Sequence, residues 1–203
     1  MDPEFVLPGE PPPVRLMNTI WADRLGVHDA LTTPGDLRAW LGALDPDPGQ
    51  RFPSRTGTGD LRRFRTLREA LRVLAALATG DTRPVAATVP TTIAKAVAAV
   101  NAAAALPALS PQLTYRDGEL RRVTAGRAKP VELALSSIAK QAIDLLTGGP
   151  AEGGGSLRAC YAPGCVLYFV KDHPRREWCS TACGNRVRAA RHYERHHKRA
   201  GEA

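Results

Sequence analysis

The fold of this chain is decided near its C-terminal end by residues 160–186, CYAPGCVLYFVKDHPRREWCSTACGNR. All four cysteines of the 203-residue chain lie here as two pairs, Cys160-x4-Cys165 and Cys179-x3-Cys183, with 13 residues between the pairs. The start of the chain shows no secretory signal, so we expect a cytoplasmic protein whose paired thiols bind a metal instead of forming disulfides. Four thiolates complete the tetrahedral coordination of one structural zinc ion and leave no open position for hydrolytic chemistry.

The residues between the ligands predict a treble-clef-like zinc module with four cysteine ligands. Tyr161–Gly164 suit a tight knuckle, because proline fixes one backbone angle and glycine permits an unusual one. Val166–Phe169 are predicted to form a strand, Asp172–Pro174 a turn, and Glu177–Trp178 the returning strand. A helix then begins at the second cysteine pair, whose spacing places both sulfurs on one face of a helical turn.

His173 is a further candidate ligand that could replace a cysteine, although its place in the predicted turn disfavours that role. Four buried free thiols are the alternative to a zinc site, and they leave the paired spacing unexplained. A module of about 40 residues is too small to build a sufficient core of its own, so we expect its folding to be coupled to zinc binding.

The chain after the last cysteine predicts a helix with one cationic side. At 100° per residue, four arginines fall within an arc of about 80°, and a lysine lies just beside them. Arginine suits both backbone phosphates and guanine edges, so we expect this side to contact DNA. The predicted DNA contacts are Arg188, Arg191, Arg195, Lys198 and Arg199. The opposite side is expected to pack inward and carries Arg186, Ala189, Ala190, Tyr193 and His197.

A structural motif, Gly184-Asn185-Arg186, directly follows the last cysteine. Arg186 points to the opposite side of the helix from the centre of the cationic side. It also lies three residues after a zinc ligand, where its guanidinium can offset the excess negative charge of a four-thiolate site. We therefore expect Arg186 to stabilise the module and not to contact DNA.

The net charge of +8 is concentrated at the C-terminal end of the chain. Residues 1–155 carry a net charge of +2, whereas residues 156–203 carry +6. This asymmetry favours a polyanionic partner for the C-terminal part, and a merely solvated basic tail is the alternative.

Apolar periodicity in the remainder predicts a mainly α fold with a small β-hairpin, an α+β arrangement. A first helix is expected from Arg15, ending near Gly26, and a second after the N-cap Thr33. Asp45–Gly59 reads as a loop, and Asp117-Gly118 as the turn of a hairpin over residues 113–123. Further helices are expected over residues 60–79, with its arginines facing away from the apolar side, from Thr91 or Thr92 to residue 105, and over residues 129–147.

The composition along the chain also predicts the domain organisation. Residues 1–5 read like a cloning scar, and residues 14–150 are expected to form a helical regulatory domain. Residues 151–156 are a Gly-rich linker that should separate its core from the zinc module at residues 157–199.

The N-terminal region contains no constellation of catalytic residues, so we do not expect an enzyme. Asn18 and Arg24 are weak candidates for a ligand pocket, with capping or surface roles the stronger alternative. The lone His28 is more typical of a structural residue, and no apolar run is long enough to span a membrane.

Two resemblances cover nearly the whole chain after residue 5. The sequence Cys183-Gly184-Asn185-Arg186 resembles the signature of the CGNR zinc-finger family, and the wider match includes Cys160, Cys165, Phe169, Arg176, Trp178–Ser180 and the basic tail. The N-terminal region is similar to the ABATE domain at Met17–Thr19, Asp29–Leu31, Pro34–Leu37, Trp40–Leu41 and Leu67–Leu71. These resemblances imply a stress-responsive bacterial transcription regulator whose finger binds DNA.

The leading hypothesis is therefore a DNA-binding regulator in which the N-terminal domain senses a small-molecule signal or contacts another protein. The competing hypothesis is a zinc-finger module that binds protein or RNA without sequence-specific DNA binding. The sequence leaves open the DNA sequence recognised, the effector, the direction of regulation and the oligomeric state.

Overall fold

A computed structural model describes residues 7–44, 55–84, 91–106, 110–125, 128–148 and 155–200, and the side chains of these residues except 110, 124, 125 and 196–200. The predicted loop at residues 45–59 and the linker at 151–156 fall largely outside this part. The helices are α1 (Pro12–Met17), α2 (Pro34–Gly42), α3 (Thr58–Thr79), α4 (Ile93–Ala104), α5 (Pro130–Thr147) and α6 (Thr181–Ala200). The strands are β1 (Ile20–Asp23), β2 (Gly26–Asp29), β3 (Ser110–Arg116), β4 (Glu119–Ala125), β5 (Ser156–Ala159) and β6 (Tyr168–Lys171).

The mainly α fold class is confirmed, with the strands arranged as antiparallel pairs β1–β2, β3–β4 and β5–β6. Helices α1 to α5 enclose one large apolar core. None of the helices in the described ranges is both long and apolar enough to cross a bilayer.

The local signals at the helix ends predicted several elements correctly. Thr33 caps α2 by accepting a hydrogen bond from the Asp36 backbone N–H, and Asp36 in turn accepts a bond from the Thr33 N–H. Thr92 caps α4 through the Lys95 N–H. The hairpin β3–β4 turns at Asp117 and Gly118, whose φ values of 54° and 80° are the left-handed angles that a tight turn requires.

The prediction of one long first helix was wrong. Helix α1 ends at Met17, and residues 20–29 form the hairpin β1–β2 instead. The Asp23 carboxylate accepts a bond from the Leu25 backbone N–H, and Gly26 has a φ of 131°, which together make a turn. Leu25, which supported the helical periodicity, is 89% exposed and contributes nothing to the core.

The prediction that all arginines of α3 face away from its apolar side was also wrong. Arg68 and Arg72 are almost fully buried, whereas Leu77 is 64% exposed. The Arg68 guanidinium forms a bidentate pair with Asp29 at the end of β2, with distances of 2.6 and 2.8 Å. A buried charge is tolerated here because it is paired and hydrogen-bonded.

The strand pairing of the zinc module differs from the prediction. Strand β6 pairs with β5, which precedes the first cysteine, and Glu177–Trp178 form no strand. The Arg176 backbone N–H bonds to the His173 carbonyl, so the chain turns after β6 instead of returning along it. Strand β5 could not be predicted because so short a strand has little periodicity.

The zinc module packs directly on the helical region, so the expectation of separate cores was wrong. Tyr168 of β6 is fully buried within the large core of the helices. Ile20 of β1 conversely belongs to the cluster that contains the four cysteines. The proposed domain boundary at residues 151–156 stays a prediction, but the residues on its two sides share buried contacts.

Candidate metal centre and nucleic-acid interface

The four cysteine sulfurs form one compact, buried cluster. The Sγ atoms of Cys160, Cys165, Cys179 and Cys183 all lie within 4.8 Å of one another. Sulfur–sulfur distances of 3.8 Å for Cys165–Cys179 and 3.4 Å for Cys179–Cys183 are close to the separation of about 3.8 Å that tetrahedral Zn–S bonds produce. The donor set and its spacing therefore fit one zinc ion, and the four thiolates leave no coordination position open.

The first cysteine pair lies on a knuckle between β5 and β6. The Cys160 backbone N–H bonds to the Leu167 carbonyl at 3.0 Å, which closes the base of the loop. The Cys165 N–H bonds to the Ala162 carbonyl at 2.9 Å, and Gly164 takes a φ of 71°. These turns bring the two sulfurs to the same side of the loop, as the Ala-Pro-Gly sequence predicts.

The second cysteine pair is fixed by the start of α6. The Ser180 hydroxyl accepts a bond from the Cys183 backbone N–H at 3.3 Å, which caps the helix. Gly184 is buried against the Trp178 ring, and a Cβ at this position would lie 3.3 Å from the Trp178 Cδ1 atom. A glycine after the last ligand thus lets the Trp178 indole ring pack against the cysteine cluster.

Arg186 contacts the cluster of four cysteines directly. Its Nη2 atom donates to the Cys183 sulfur at 2.9 Å, in the position expected for a residue that offsets thiolate charge. Hydrogen bonds from the other three thiols, together with the one from Arg186, lower the pKa of Cys183. The positive charge of Arg186 beside this sulfur favours the thiolate form that binds metal.

Comparison with known families agrees with this geometry. The family model of the ABATE domain, described as "Putative stress-induced transcription regulator", matches residues 10–149. The model of the CGNR zinc finger matches residues 156–196. The chain belongs to the ABATE family. Neither description is that of an enzyme, and no curated protein matches the chain.

An arginine of the ABATE region holds the backbone of the zinc knuckle. The Arg83 Nη1 atom donates to the carbonyls of Cys160 at 2.8 Å and Cys165 at 3.0 Å. Its other nitrogens form two bonds of 2.8 and 2.7 Å with the Asp81 carboxylate, which also accepts the Tyr168 hydroxyl at 2.6 Å. The pKa of Asp81 is lowered because the bonds from Arg83 and Tyr168 outweigh burial, which acts to raise it.

Further polar contacts attach strand β6 to the N-terminal end of the ABATE region. The Asn18 amide donates to the Tyr168 carbonyl and accepts from its N–H, both at 2.9 Å, like an added β-bridge. The buried Glu10 carboxylate accepts from the Val170 N–H at 2.8 Å and pairs with Arg176. Burial raises the pKa of Glu10, and the bonds from Val170 and Arg176 oppose this effect.

The expected cationic side of α6 is exposed over the residues whose side chains are described. Arg188, Arg191 and Arg195 are all exposed, while Val187 packs on the cysteine cluster. The Arg188 guanidinium also bonds to the Asn185 side chain. Lys198 and Arg199 lie within α6, but their side chains fall outside the described residues.

The predicted packing side of α6 is only partly buried. Ala190 is half-buried beyond Val187, but Ala189 is exposed and Tyr193 is 64% exposed. The expectation that Tyr193 packs inward was therefore wrong, because the finger covers only the first turns of this long helix. His197 has no described side chain.

The weaker sequence candidates have distinct positions in the fold. Asn18 is buried and uses its amide to bind strand β6, while Arg24 is exposed at the turn of β1–β2. His173 is exposed, accepts a hydrogen bond from the Arg175 backbone N–H and lies outside the cysteine cluster. His28 stacks on Trp21 and bonds to Asp23 on the same hairpin.

Proposed function

We propose that this ABATE-family chain is a bacterial transcription regulator that binds DNA through the exposed cationic side of α6. The observation that carries the proposal is the contrast around one helix. Val187 packs α6 against the cysteine cluster, while Arg188, Arg191 and Arg195 extend into solvent. A zinc-fixed helix of this kind presents several guanidinium groups along one line, which suits a duplex backbone or a major groove.

The zinc ion has a structural role in this proposal. It ties the knuckle to the first turn of α6 and so sets the direction in which the arginines extend. Cys160, Cys165, Cys179 and Cys183 bind the metal, Gly184 and Asn185 shape the first turn, and Arg186 offsets charge at the cluster. Such a regulator acts in the cytoplasm, where thiols stay reduced.

The ABATE region supplies regulation in this proposal, by sensing a small molecule or by contacting another protein. Its hydrogen bonds to the knuckle and to β6 support this role, because a movement of Arg83 or Asn18 would shift the backbone around the cysteine cluster. An unstable attachment would move or loosen the finger and so change DNA affinity.

Salt dependence of duplex binding tests the proposal. Full-length zinc-loaded protein is titrated with a fluorescent genomic duplex at several salt concentrations. Phosphate contacts release counterions, so log K should fall linearly with log salt. Replacing Arg188, Arg191 and Arg195 by Gln should flatten the slope by about 0.9 for each lost phosphate contact.

A matched triple variant controls for net charge. Arg116, Arg121 and Arg122 are exposed on the hairpin β3–β4, and their replacement by Gln removes the same formal charge. Equal losses in both triple variants would show that bulk charge and not the α6 face binds DNA. Tighter binding to single-stranded RNA, or no duplex affinity at moderate salt, would favour the RNA- or protein-interaction alternative.

A further inference from the structure

We propose that a pocket between α3 and α4 binds a small organic anion with an apolar body. The inference rests on the proposed function and deepens its sensing role by naming the site and the class of effector. The pocket has a volume of about 630 Å³, within the range of roughly 300–1,000 Å³ that is typical of small-molecule sites.

The apolar floor of the pocket exists because small side chains occur where two helices face each other. Ala70 on α3 and Ala96 and Ala99 on α4 line it, and Leu61 adds one larger apolar side chain. Larger residues at the alanine positions would fill this space. The floor therefore offers a surface for a hydrocarbon or aromatic group that gains from leaving water.

Charged side chains at the pocket determine which ligand charge it favours. Among the lining residues that the structure describes, Arg62, Arg65 and Lys95 are exposed cations, and Glu69 is the one acidic group. The Glu69 carboxylate is already bound by Arg68, through bonds of 3.0 and 2.9 Å. The described part of the lining thus presents an excess of positive charge.

Two of these cations, Arg62 and Lys95, are available to a ligand. The third, Arg65, pairs with Asp29, with 3.5 Å between its Nη2 atom and the Asp29 Oδ2 atom. Within the part of the chain that the structure describes, Arg62 and Lys95 form no ion pair with an acidic side chain. A carboxylate, sulfonate or phosphate group of a ligand would supply the missing charge while the alanine floor holds its apolar body.

Decanoate is a suitable first probe, and decanol is its neutral match. Calorimetric titration of the full-length zinc-loaded protein, with decanoate below its micelle-forming concentration and decanol below its solubility limit, should show saturable binding. Decanoate should bind about tenfold more tightly than decanol, because hydrogen bonds to a charged group are stronger than neutral ones. Equal affinities, or no saturable binding of decanoate, would overturn the proposal.

Variants locate the binding to this pocket. Replacing both Arg62 and Lys95 by Gln should weaken decanoate binding about tenfold and leave decanol binding unchanged. The control, Arg121→Gln with Arg122→Gln, removes the same charge from the hairpin β3–β4 and should have no effect. Ala99→Phe should fill the floor and abolish binding of both probes in a protein that still melts cooperatively.

The result is independent of DNA binding. No DNA is present in these titrations, so failure at the pocket and failure of the α6 face are separate outcomes. Decanoate affinity that survives Ala99→Phe, or that ignores the loss of Arg62 and Lys95, would place the probe elsewhere and reject the site.

Discussion

The buried arginines of the ABATE region and the exposed arginines of α6 behave in opposite ways. Arg68, Arg72 and Arg83 have little exposure and direct their guanidinium groups to partners within the chain. Arg191 and Arg195 on α6 are exposed. The buried set therefore holds the protein together, whereas the set on α6 is presented to solvent. The position of an arginine in the fold, and not the local charge, decides which role it has.

The first of these sets explains how a small zinc module becomes part of a larger core. A module of about 40 residues buries too little apolar surface to be stable alone. Here Tyr168 enters the helical core, and the Arg72 guanidinium lies 5.4 Å from the centre of its ring. Arg72 also contacts the Val166 carbonyl at 3.5 Å, so the helical region provides apolar support to β6 and polar support to the chain just before it.

Loss of zinc should have the largest effect and should affect both regions. Serine is a poor zinc ligand, and structural zinc binding contributes about 10–16 kcal/mol in zinc-finger peptides, so Cys179→Ser should unfold the finger. Removing Tyr168 from the helical core resembles deletion of a large core side chain, which costs about 3–5 kcal/mol. The ABATE region should therefore melt at least about 6 °C lower.

Trp40 reports the second part of this prediction because it lies in the helical core. With Trp21→Phe and Trp178→Phe in both proteins, fluorescence follows the melting of the ABATE region alone. Zinc content, measured by elemental analysis, checks the first part. An unchanged melting temperature after loss of zinc would show that the two cores are independent.

Arg83→Ala should have the second largest effect. It leaves the Asp81 carboxylate without its guanidinium and removes a donor from the knuckle carbonyls, and breaking a buried charge pair costs about 3–5 kcal/mol. Chemical denaturation should show this loss, and zinc transfer to a chelator should be faster. The double variant Arg83→Met with Asp81→Asn should recover part of the stability, because it leaves no unpaired charge. Full stability of Arg83→Ala would remove this residue from the role assigned here.

The zinc site could be predicted from sequence because its chemistry is local. Paired cysteines, a knuckle sequence and a basic helix all lie within residues 160–200, and the helix caps elsewhere likewise depend on residues only a few positions apart. The attachment of the finger could not be predicted, because Arg83 and Asn18 lie 77 and 150 residues away in sequence from their partners.

One signal for the buried arginines was nevertheless present in α3. At 100° per residue, Arg68 projects about 40° from Phe64 and lies between the directions of Leu61 and Leu71. It therefore falls on the apolar side of the helix, where an arginine is unusual unless it has a buried acidic partner. Its partner Asp29 could not be identified, since the periodicity of the preceding residues favoured a helix over the hairpin that positions it.

Arg186 is intermediate between the two sets, and its replacement should have a smaller effect than that of Arg83. It is exposed but donates to the Cys183 sulfur. Arg186→Ala should lower zinc affinity about tenfold, as is typical for the loss of a group that bonds to a metal ligand. Arg186→Lys keeps the charge and should retain part of this affinity. If Arg186→Ala keeps its zinc yet loses duplex binding, Arg186 belongs with the DNA contacts.

Arg191→Ala should have the smallest effect on stability and so sharpens the contrast most directly. The side chain is exposed, and replacement of an exposed helix residue changes stability by less than about 0.5 kcal/mol. Zinc content and the denaturation midpoint should match those of the parent protein. Duplex affinity should fall, and the salt slope should flatten by about 0.9 if Arg191 binds one phosphate. A variant that lost stability but kept duplex affinity would give Arg191 the same role as the buried arginines, and exposure would no longer separate the two roles.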